Sequence, residues 1–289
     1  MGLLDLFVKR DTIYFPGCIT YFKFREGFEL YQRVFSRLGI RFRTLDTQRC
    51  SGFEPWEAGY DFELRKIVRE NFDLFKEENV RKIITSEPGC YKIFRDNYPE
   101  ILPYWDIEII NIWDLILEKL IKKSWLIEKK EEIVTFHDSC YLGRYSGVYD
   151  SPREILEMLG YSIREMDNNS ENSLCCGSCG GLSRTNPKLA RKIAKERLLQ
   201  AKRIGVKKMI VVGFENYSLL NESAQDLDME VFELGEILAS ALGIKKLKDS
   251  GPEVNGESIL IETKANMNLQ NKLVDEDYGD EIKEIKNDG

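Results

Sequence analysis

Seven cysteines are the residues of this 289-residue chain whose type and spacing could support chemistry. In the second half, a lone Cys140 is followed 35 residues later by a Cys-Cys-Gly-Ser-Cys run. Thiolates bind soft or borderline metals, and in a reducing compartment zinc and iron–sulfur clusters lead. Adjacent cysteines point in different directions, which suits a cluster with several iron corners better than one tetrahedral ion. The predicted ligands of a four-iron cluster are Cys140, Cys175, Cys176 and Cys179.

The cysteine run lies in a loop that is rich in glycine. Gly177, Gly180 and Gly181 allow positive φ angles and close backbone approach, so their N–H groups can point at cluster sulfurs as an anion nest. We therefore predict that these glycines contact the cofactor. Buried cysteines without metal are the alternative, since free cysteine is among the most buried residues. Four thiols at two strand ends, with a glycine-rich loop among them, favour metal binding over simple burial of the cysteines.

Short β-rich runs alternate along the chain with longer patterns of helical spacing, and this alternation predicts how the cysteines are positioned. The predicted strands are 13–15, 41–45, 82–85, 107–110, 133–136, 162–165, 208–212 and 230–232. The predicted helices are 26–38, 61–77, 112–122, 151–159, 187–204 and 234–242. The order βαβα thus occurs twice. It predicts an α/β fold of two tandem repeats with mainly parallel sheets.

Every cysteine follows a predicted strand, where the loops of an open α/β sheet converge on ligands. Cys18, Cys50 and Cys90 follow the first three strands of the first half. Cys18 and Cys140 are 122 residues apart, and Cys50 and Cys175 are 125 apart, so the halves look like copies. We predict a first repeat over 1–126, a second over 127–246 and an acidic, flexible tail over 247–289.

The charge distribution excludes one class of function. Of the net charge of −7, the tail from residue 247 carries −6, so the first 246 residues are nearly neutral. A nucleic-acid-binding face needs excess basic charge, and none is predicted. An odd number of cysteines without a secretory leader predicts a reducing compartment, the cytoplasm. No transmembrane segment is predicted. The segment 2–8 is expected to be a frayed or capping helix, with peripheral association with a membrane or partner as the alternative.

The residues around the cysteines resemble a known family. The segments 137–144 (His-Asp-Ser-Cys-Tyr-Leu-Gly-Arg), 147–153 and 171–181 (Glu-Asn-Ser-Leu-Cys-Cys-Gly-Ser-Cys-Gly-Gly) look like the cysteine-rich CCG domain. This domain occurs in the B and D subunits of heterodisulfide reductases and in iron–sulfur subunits of glycolate, lactate and anaerobic glycerol-phosphate dehydrogenases. Segments 14–18, 49–52 and 86–91 of the first half resemble it as well. The resemblance spans residues 12–243 and implies an oxidoreductase subunit.

Both halves depart from the full family pattern of a lone Cys, a Cys-Cys pair and a later Cys-x-x-Cys. In the first half Ser51 replaces the second cysteine of the pair and Glu87 the first of Cys-x-x-Cys. Three thiols then leave an open corner, which Glu87, Ser51 or an exogenous ligand could fill. We expect a second cluster or zinc there, or no metal. In the second half Phe214 and Tyr217 stand where Cys-x-x-Cys would be, and Cys179 is extra.

Other side chains near the cysteines have separate predicted roles. His137, the only histidine, is expected to orient the Cys140 loop by hydrogen bonds rather than to act as a ligand. Arg144 is predicted to contact the cofactor, because a guanidinium offsets the negative charge of a thiolate-bound cluster. Arg153 has two interpretations, an anion-binding group or a solvated helix residue. The aromatic residues Tyr14, Phe15, Tyr21 and Phe22 are expected in the core rather than in a quinone pocket.

These observations predict an iron–sulfur oxidoreductase subunit that transfers electrons between a partner redox subunit and an acceptor. The sequence has no ferredoxin-type cysteine run and no Gly-x-Gly-x-x-Gly motif, so a flavoprotein or ferredoxin-like partner is expected to supply electrons. One alternative is a non-catalytic assembly or binding protein with a structural zinc or no metal. Another is thiol–disulfide exchange at Cys176 and Cys179, which the glycine-rich surroundings favour less.

Overall fold

Two parallel β-sheets organise the computed structural model, which describes residues 11–244. The first sheet has three strands and the second has four, and all pairs are parallel. The predicted segments 2–8 and 247–289 lie outside the described residues. The strands are β1 (Thr12–Tyr14), β2 (Lys82–Ile84), β3 (Glu108–Ile110), β4 (Glu132–His137), β5 (Tyr161–Ile163), β6 (Lys208–Val211) and β7 (Glu230–Glu233).

The two sheets share one strand order. The second sheet is ordered β5-β4-β6-β7, and the first β1-β2-β3. On the other side of β1, Ile13 pairs with Arg43 in a single parallel bridge, at the place that β5 takes beside β4. In each half, the first extended segment along the chain therefore lies between the second and the third in the sheet, as in doubly wound sheets. The predicted α/β fold of two repeats with parallel sheets is confirmed.

Helices follow most of the strands and cover the sheets. Within the described residues they are α1 (Cys18–Phe22), α2 (Arg25–Leu38), α3 (Phe53–Glu57), α4 (Asp61–Glu77), α5 (Pro88–Lys92), α6 (Tyr98–Ile101), α7 (Ile112–Lys122), α8 (Asp150–Met158), α9 (Leu182–Thr185), α10 (Pro187–Arg203), α11 (Phe214–Ala224) and α12 (Leu234–Ala241). A π-helical segment, Ile93–Asn97, joins α5 to α6. Among the helices between residues 11 and 244, none combines the length and apolar composition needed to cross a bilayer.

Helix α4 shows why the periodic patterns fold as predicted. Its buried positions recur every three or four residues and form one apolar stripe. Asp61 and Glu63 lie in its first turn and Lys76 in its last, which matches the charges to the helix dipole. The predicted bounds 61–77 therefore agree with the structure. Its buried residues are Leu64, Val68, Asn71, Phe72 and Phe75.

Two local expectations were wrong. The predicted strand 41–45 is reduced to the Arg43 bridge, because only Arg43 N and O bond to Thr12 O and Tyr14 N before the chain turns toward Cys50. Helix α11 was not predicted, because its apolar residues do not form a clear stripe in the sequence. It begins directly after β6 at Phe214.

One large core contains side chains from both halves. It joins Tyr14, Tyr31 and Trp113 from the first half to Phe214 and Leu238 from the second. The sheets fall on either side of residues 126 and 127, although the domain boundary there stays a prediction. The aromatic expectation holds for Tyr14, which is buried, and was wrong for Phe22, which ends α1 with 51% of its surface exposed.

Candidate metal centre

Three cysteine sulfurs of the second half lie together. The Sγ atoms of Cys140, Cys175 and Cys179 are all within 4.8 Å of one another. Cys140 lies in the turn after β4, and the other two lie in the loop after β5. Because β4 and β5 are parallel neighbours, their carboxyl ends bring these loops to one edge of the sheet. Cys140 is buried and the other two are half-buried, so one side of this thiol set faces solvent.

Gly177 fixes the shape of the loop that carries Cys175. Its φ is +91°, a left-handed conformation, and a Cβ there would lie 2.7 Å from the carbonyl oxygen of Ala190. Only glycine fits such a position without displacing α10. The resulting turn lets the Gly177 N–H donate to Cys175 Sγ at 3.3 Å. This contact is of the backbone-to-sulfur kind that the sequence predicts.

The other two predicted glycines have different surroundings. Gly180 and Gly181 also have positive φ, at +70° and +65°. The Gly180 N–H donates to the carboxylate of Glu57, a residue of α3 in the first half. Gly181 caps the start of α9. Their contact with a cofactor stays a prediction.

Cys176 is not part of the three-sulfur set. Its side chain is fully buried, and its Sγ lies 3.3 Å from Ser178 Oγ and 3.3 Å from Asn216 Oδ1. Because the amide oxygen can only accept, the Cys176 thiol is the donor, and it shares its proton between this oxygen and Cys175. Asn216 lies within the segment 214–217, where the resembling family has Cys-x-x-Cys. A polar side chain from that segment thus binds the thiol.

Hydrogen bonding among the thiols decides which of them ionises first. The pKa of Cys175 is lowered, chiefly because the Cys140 and Cys176 thiols donate to its sulfur. The Gly177 N–H acts in the same direction. The same bond raises the pKa of Cys140 to about 11, since Cys140 is its donor. Cys175 is therefore the first thiol of the set to ionise, and metal binding must release the protons of the others.

Arg144 and Ser173 surround the Cys140 sulfur. Arg144 Nη2 donates to Cys140 Sγ at 3.0 Å, and its Nη1 donates to the carbonyl of Ser173. Arg144 therefore lies beside a predicted ligand sulfur, and its contact with a cofactor stays a prediction. Arg153 matches neither of its two interpretations, because it binds Asp138 at 2.7 and 2.9 Å and Glu165 at 2.7 and 3.3 Å.

His137 is held in the interior by a buried arginine. Its Nδ1 accepts from Arg197 Nε at 3.1 Å, so the ring proton is on Nε2. Burial, reinforced by the Arg197 charge, lowers the pKa of His137 to about 3. His137 Nε2 has no hydrogen-bond partner among the described residues. This hydrogen bond goes to α10 and not to the Cys140 loop, so the orienting role expected of His137 stays a prediction.

The first half has the same glycine-to-sulfur hydrogen bond, but its cysteine sulfurs do not form a set like that of the second half. The Gly52 N–H donates to Cys50 Sγ at 3.3 Å, and the Cys18 thiol donates to the carbonyl oxygen of Arg49 at 3.9 Å. Ser51 Oγ lies 3.1 Å from the buried Cys90 Sγ. Within the part of the chain that the structure describes, these three cysteines do not form a set of ligand atoms within 4.8 Å of one another. A metal in this half stays a prediction.

Glu87 turns toward the second half rather than toward the cysteines. It is 8% exposed, and its carboxylate accepts from Thr20 Oγ1 and from the Phe214 N–H at 3.1 Å. Burial raises the pKa of Glu87. Glu87 and Phe214 are positions at which the resembling family has cysteines. In this chain they bond to each other across the two halves.

Sequence reasoning missed Arg197 and Asn216. A signal for Arg197 was present, because it falls on the buried stripe of α10 formed by Ala190, Ala194 and Ala201. A charged residue on an apolar stripe has to find a polar partner inside the protein. Asn216 had no such signal, since α11 was not predicted.

The family follows from a comparison with known domains. The model of the cysteine-rich CCG domain matches residues 12–95 and 134–213, on both sheets and all seven cysteines. The chain belongs to the CCG cysteine-rich domain family. The resemblance read from the residues around Cys140 and Cys175 is therefore confirmed.

Among curated proteins, the chain is similar to oxidoreductases and to an oxidoreductase subunit. It is 33% identical over 175 residues to the "Probable iron-sulfur-binding oxidoreductase FadF" of Bacillus subtilis, covering 59% of this chain and 24% of that one. It is 30% identical over 251 residues to the D subunit of the dihydromethanophenazine:CoB–CoM heterodisulfide reductase of Methanosarcina mazei, covering 82% and 60%. The EtfAB:quinone oxidoreductase of Syntrophomonas wolfei is 30% identical over 59% of this chain and 24% of its own.

These CCG-domain relatives are longer than the chain, which spans 24% to 60% of their length. Among solved structures, the Picrophilus torridus aspartate racemase aligns at 9% identity with a TM-score of 0.39, over 83% of this chain and 97% of that one. A likeness at that level carries no argument.

Proposed function

We propose that this CCG-domain chain is an iron–sulfur oxidoreductase subunit that carries a four-iron cluster in its second half. The observation that carries the proposal is the set of three sulfurs, Cys140, Cys175 and Cys179, within 4.8 Å at the ends of parallel strands. An all-sulfur donor set suits iron–sulfur clusters and zinc, and excludes hard oxygen-preferring ions. The iron–sulfur name of the Bacillus subtilis relative supports the cluster over zinc.

The side chains around the set are suited to such a cluster. A bound cluster would take up and release one electron at a time. Cys140, Cys175 and Cys179 would hold it, with the Gly177 N–H and the Arg144 guanidinium donating to ligand sulfurs. Such donors stabilise negative charge on sulfur. The half-buried faces of Cys175 and Cys179 leave a short route for electrons to a partner.

Cys176 is our candidate for a fourth ligand. Its thiol hydrogen-bonds to Cys175 Sγ and therefore lies beside the set. It would have to leave Asn216 Oδ1, which it contacts at 3.3 Å, to reach an iron. The sequence alone predicts four cysteine ligands, and the proposal retains all four. The prediction of a second cluster or a zinc on Cys18, Cys50 and Cys90 is separate from this proposal, and metal counting tests it because such a site would add iron or zinc to the four irons of the second half.

The proposal includes a partner. The sequence carries no nicotinamide or flavin motif, and the relatives are named as a reductase subunit and as a quinone oxidoreductase that acts with EtfAB. We infer that a flavoprotein or ferredoxin-like subunit exchanges electrons with the cluster in the cytoplasm. The isolated chain should then not turn over lactate, glycolate or a heterodisulfide, even with an artificial electron carrier.

The test is a metal and sulfide count on the full chain purified without oxygen. The proposal expects brown protein with about four irons and four labile sulfides per chain. Colourless protein with one zinc and no labile sulfide would instead support the assembly-protein alternative. Substrate turnover by the chain alone would contradict the need for a partner.

A further inference from the structure

Arg197 of α10 is a buried cation without a carboxylate partner among the described residues. Its side chain is 1% exposed. Its four hydrogen-bond acceptors are His137 Nδ1 at 3.1 Å, Asn168 O at 2.7 Å, Gln200 Oε1 at 2.6 Å and Ser173 Oγ at 3.1 Å. All four are neutral groups. A buried charge without a counter-charge is costly, so such a residue is retained where an anion completes the site.

Arg153 shows what compensation looks like in the same region. It bonds through both arms of its guanidinium to Asp138, and Glu165 accepts from it as well. Its charge is therefore matched within the protein. Arg197 is more deeply buried and has no ion pair within 4.0 Å in the chain between residues 11 and 244. Burial lowers the pKa of Arg197 to about 10, and the Asp138 charge opposes this shift only in part. Both Asp138 oxygens are already bonded to Arg153, so the counter-charge that the polypeptide gives to Arg197 is incomplete.

Hydrogen bonds connect Arg197 to the three-sulfur set. Arg197 Nη2 donates to Ser173 Oγ at 3.1 Å, and the carbonyl of the same Ser173 accepts from Arg144. Arg144 in turn donates to Cys140 Sγ at 3.0 Å. Two guanidinium groups thus meet at one residue beside the thiols. His137, which also bonds to Arg197, stays neutral and supplies no negative charge.

We propose that Arg197 is a positioning residue that compensates the negative charge of the cluster on Cys140, Cys175 and Cys179 and so raises its reduction potential. This inference rests on the proposed function. Reduction adds one electron from an external reductant, breaks no bond and makes the cluster more negative by one charge. A fixed positive charge in a medium of low dielectric constant stabilises the more negative state, and therefore favours reduction.

The test compares three variants of the full chain loaded with its cluster. Arg197→Gln removes the charge, and Arg197→Lys retains it without the planar fork. The control is Arg191→Gln. Arg191 lies on the same helix, is exposed and pairs with Glu222, so this variant removes one positive charge from a much less buried position. The reduction potential is measured by redox titration followed by electron paramagnetic resonance, with dithionite as the reductant.

We expect Arg197→Gln to lower the ratio of reduced to oxidised cluster about tenfold at a fixed potential, a shift of about 59 mV to more negative values. Arg191→Gln and Arg197→Lys should stay close to the wild-type potential. If Arg197→Gln does not fold, a second neutral variant, Arg197→Met, is measured in its place. A potential more negative than that of Arg197→Lys in the folded neutral variant supports a role of charge, and a wild-type potential in it overturns that role.

The outcomes separate this inference from the function on which it rests. Colourless wild-type protein that holds zinc would refute the iron–sulfur function itself. Brown protein in which Arg197→Gln and Arg191→Gln have the wild-type potential would refute only the role of Arg197. Equal shifts in both variants would show a general effect of net charge, and would also overturn the role of Arg197.

Discussion

The two halves of the chain share a cysteine frame but differ in what it brings together. In each half a glycine of positive φ, Gly52 or Gly177, donates its N–H to the sulfur two residues earlier at 3.3 Å. The second half then gathers three sulfurs within 4.8 Å. In the first half a serine occupies the position after Cys50 and bonds to Cys90. The comparison teaches that the two halves share the same glycine-to-sulfur hydrogen bond although the sulfurs that they bring together differ.

The largest expected effect is obtained by removing, in each half, the cysteine whose sulfur accepts the glycine N–H. Cys175→Ala should abolish the brown colour, because water cannot replace a thiolate ligand of a cluster in a partly closed site. Cys50→Ala, the matched control, should keep the absorbance of the second-half cluster. Visible spectra and iron counts of anaerobic protein check both. Equal loss of iron in the two variants would show that the halves contribute to one shared site.

A second prediction concerns Cys179, the thiol that the resembling family usually lacks. Cys179→Gly restores a family-like loop without adding bulk, so a change in the cluster reports loss of a ligand. Its sulfur lies in the three-sulfur set, and we expect loss of the cluster or conversion to a three-iron form. Electron paramagnetic resonance distinguishes these results. An unchanged four-iron signal would remove Cys179 from the ligands.

The two frame glycines should differ in their tolerance of a methyl group. Ala at either position is strained by the positive φ, at about 1 kcal/mol. In Gly177→Ala the Cβ also meets the backbone oxygen of Ala190 at 2.7 Å, whereas in Gly52→Ala it meets the flexible Leu64 side chain at 2.8 Å. We expect Gly177→Ala to lower the free energy of unfolding by about 2 kcal/mol and Gly52→Ala by about 1 kcal/mol. Urea unfolding measures both, and the reverse order would contradict the steric argument.

The smallest expected effect lies at a contact that joins the halves. Tyr31 of α2 donates to Glu233 at the end of β7, and burial raises the pKa of Glu233 to about 8 against the opposing effect of this and two backbone donors. Because the folded state holds the proton more tightly than the unfolded state, stability should fall as pH rises from about 4.5 to 8.

Glu233→Gln cannot lose that proton, so its stability should fall less over the same range. We expect the difference between pH 7 and pH 8 to be smaller than in the wild type by about 1 kcal/mol. Tyr31→Phe, which keeps the carboxyl, serves as the control and should retain the pH dependence. Identical slopes in Glu233→Gln and the wild type would exclude Glu233 as its source.

The sequence predicts well the repeated order of strands and helices along the chain, because strand runs and helical stripes such as that of α4 depend on local spacing. It also predicts that Cys140, Cys175 and Cys179 converge, since parallel strand ends share one edge of a sheet. It could not predict that Cys176 turns to Asn216, or that Arg197 reaches Ser173. Both depend on how α10 and α11 pack over the loops, and this packing has no period in the sequence. The prediction of a strand at 41–45 was wrong because the length of a strand at a sheet edge depends on how it pairs with its neighbour, which local sequence does not show.

The hydrogen bond between the Phe214 N–H and Glu87 Oε1 links two substitutions that lie 127 residues apart. Reverting Glu87 to cysteine alone would remove the acceptor of a buried N–H, and reverting Phe214 alone would remove an aromatic ring that packs on Phe24 and Tyr31. Each single replacement therefore carries its own penalty. Because the bond uses the backbone N–H of Phe214, which a cysteine at that position would also donate, the two penalties are independent and should add in the double replacement.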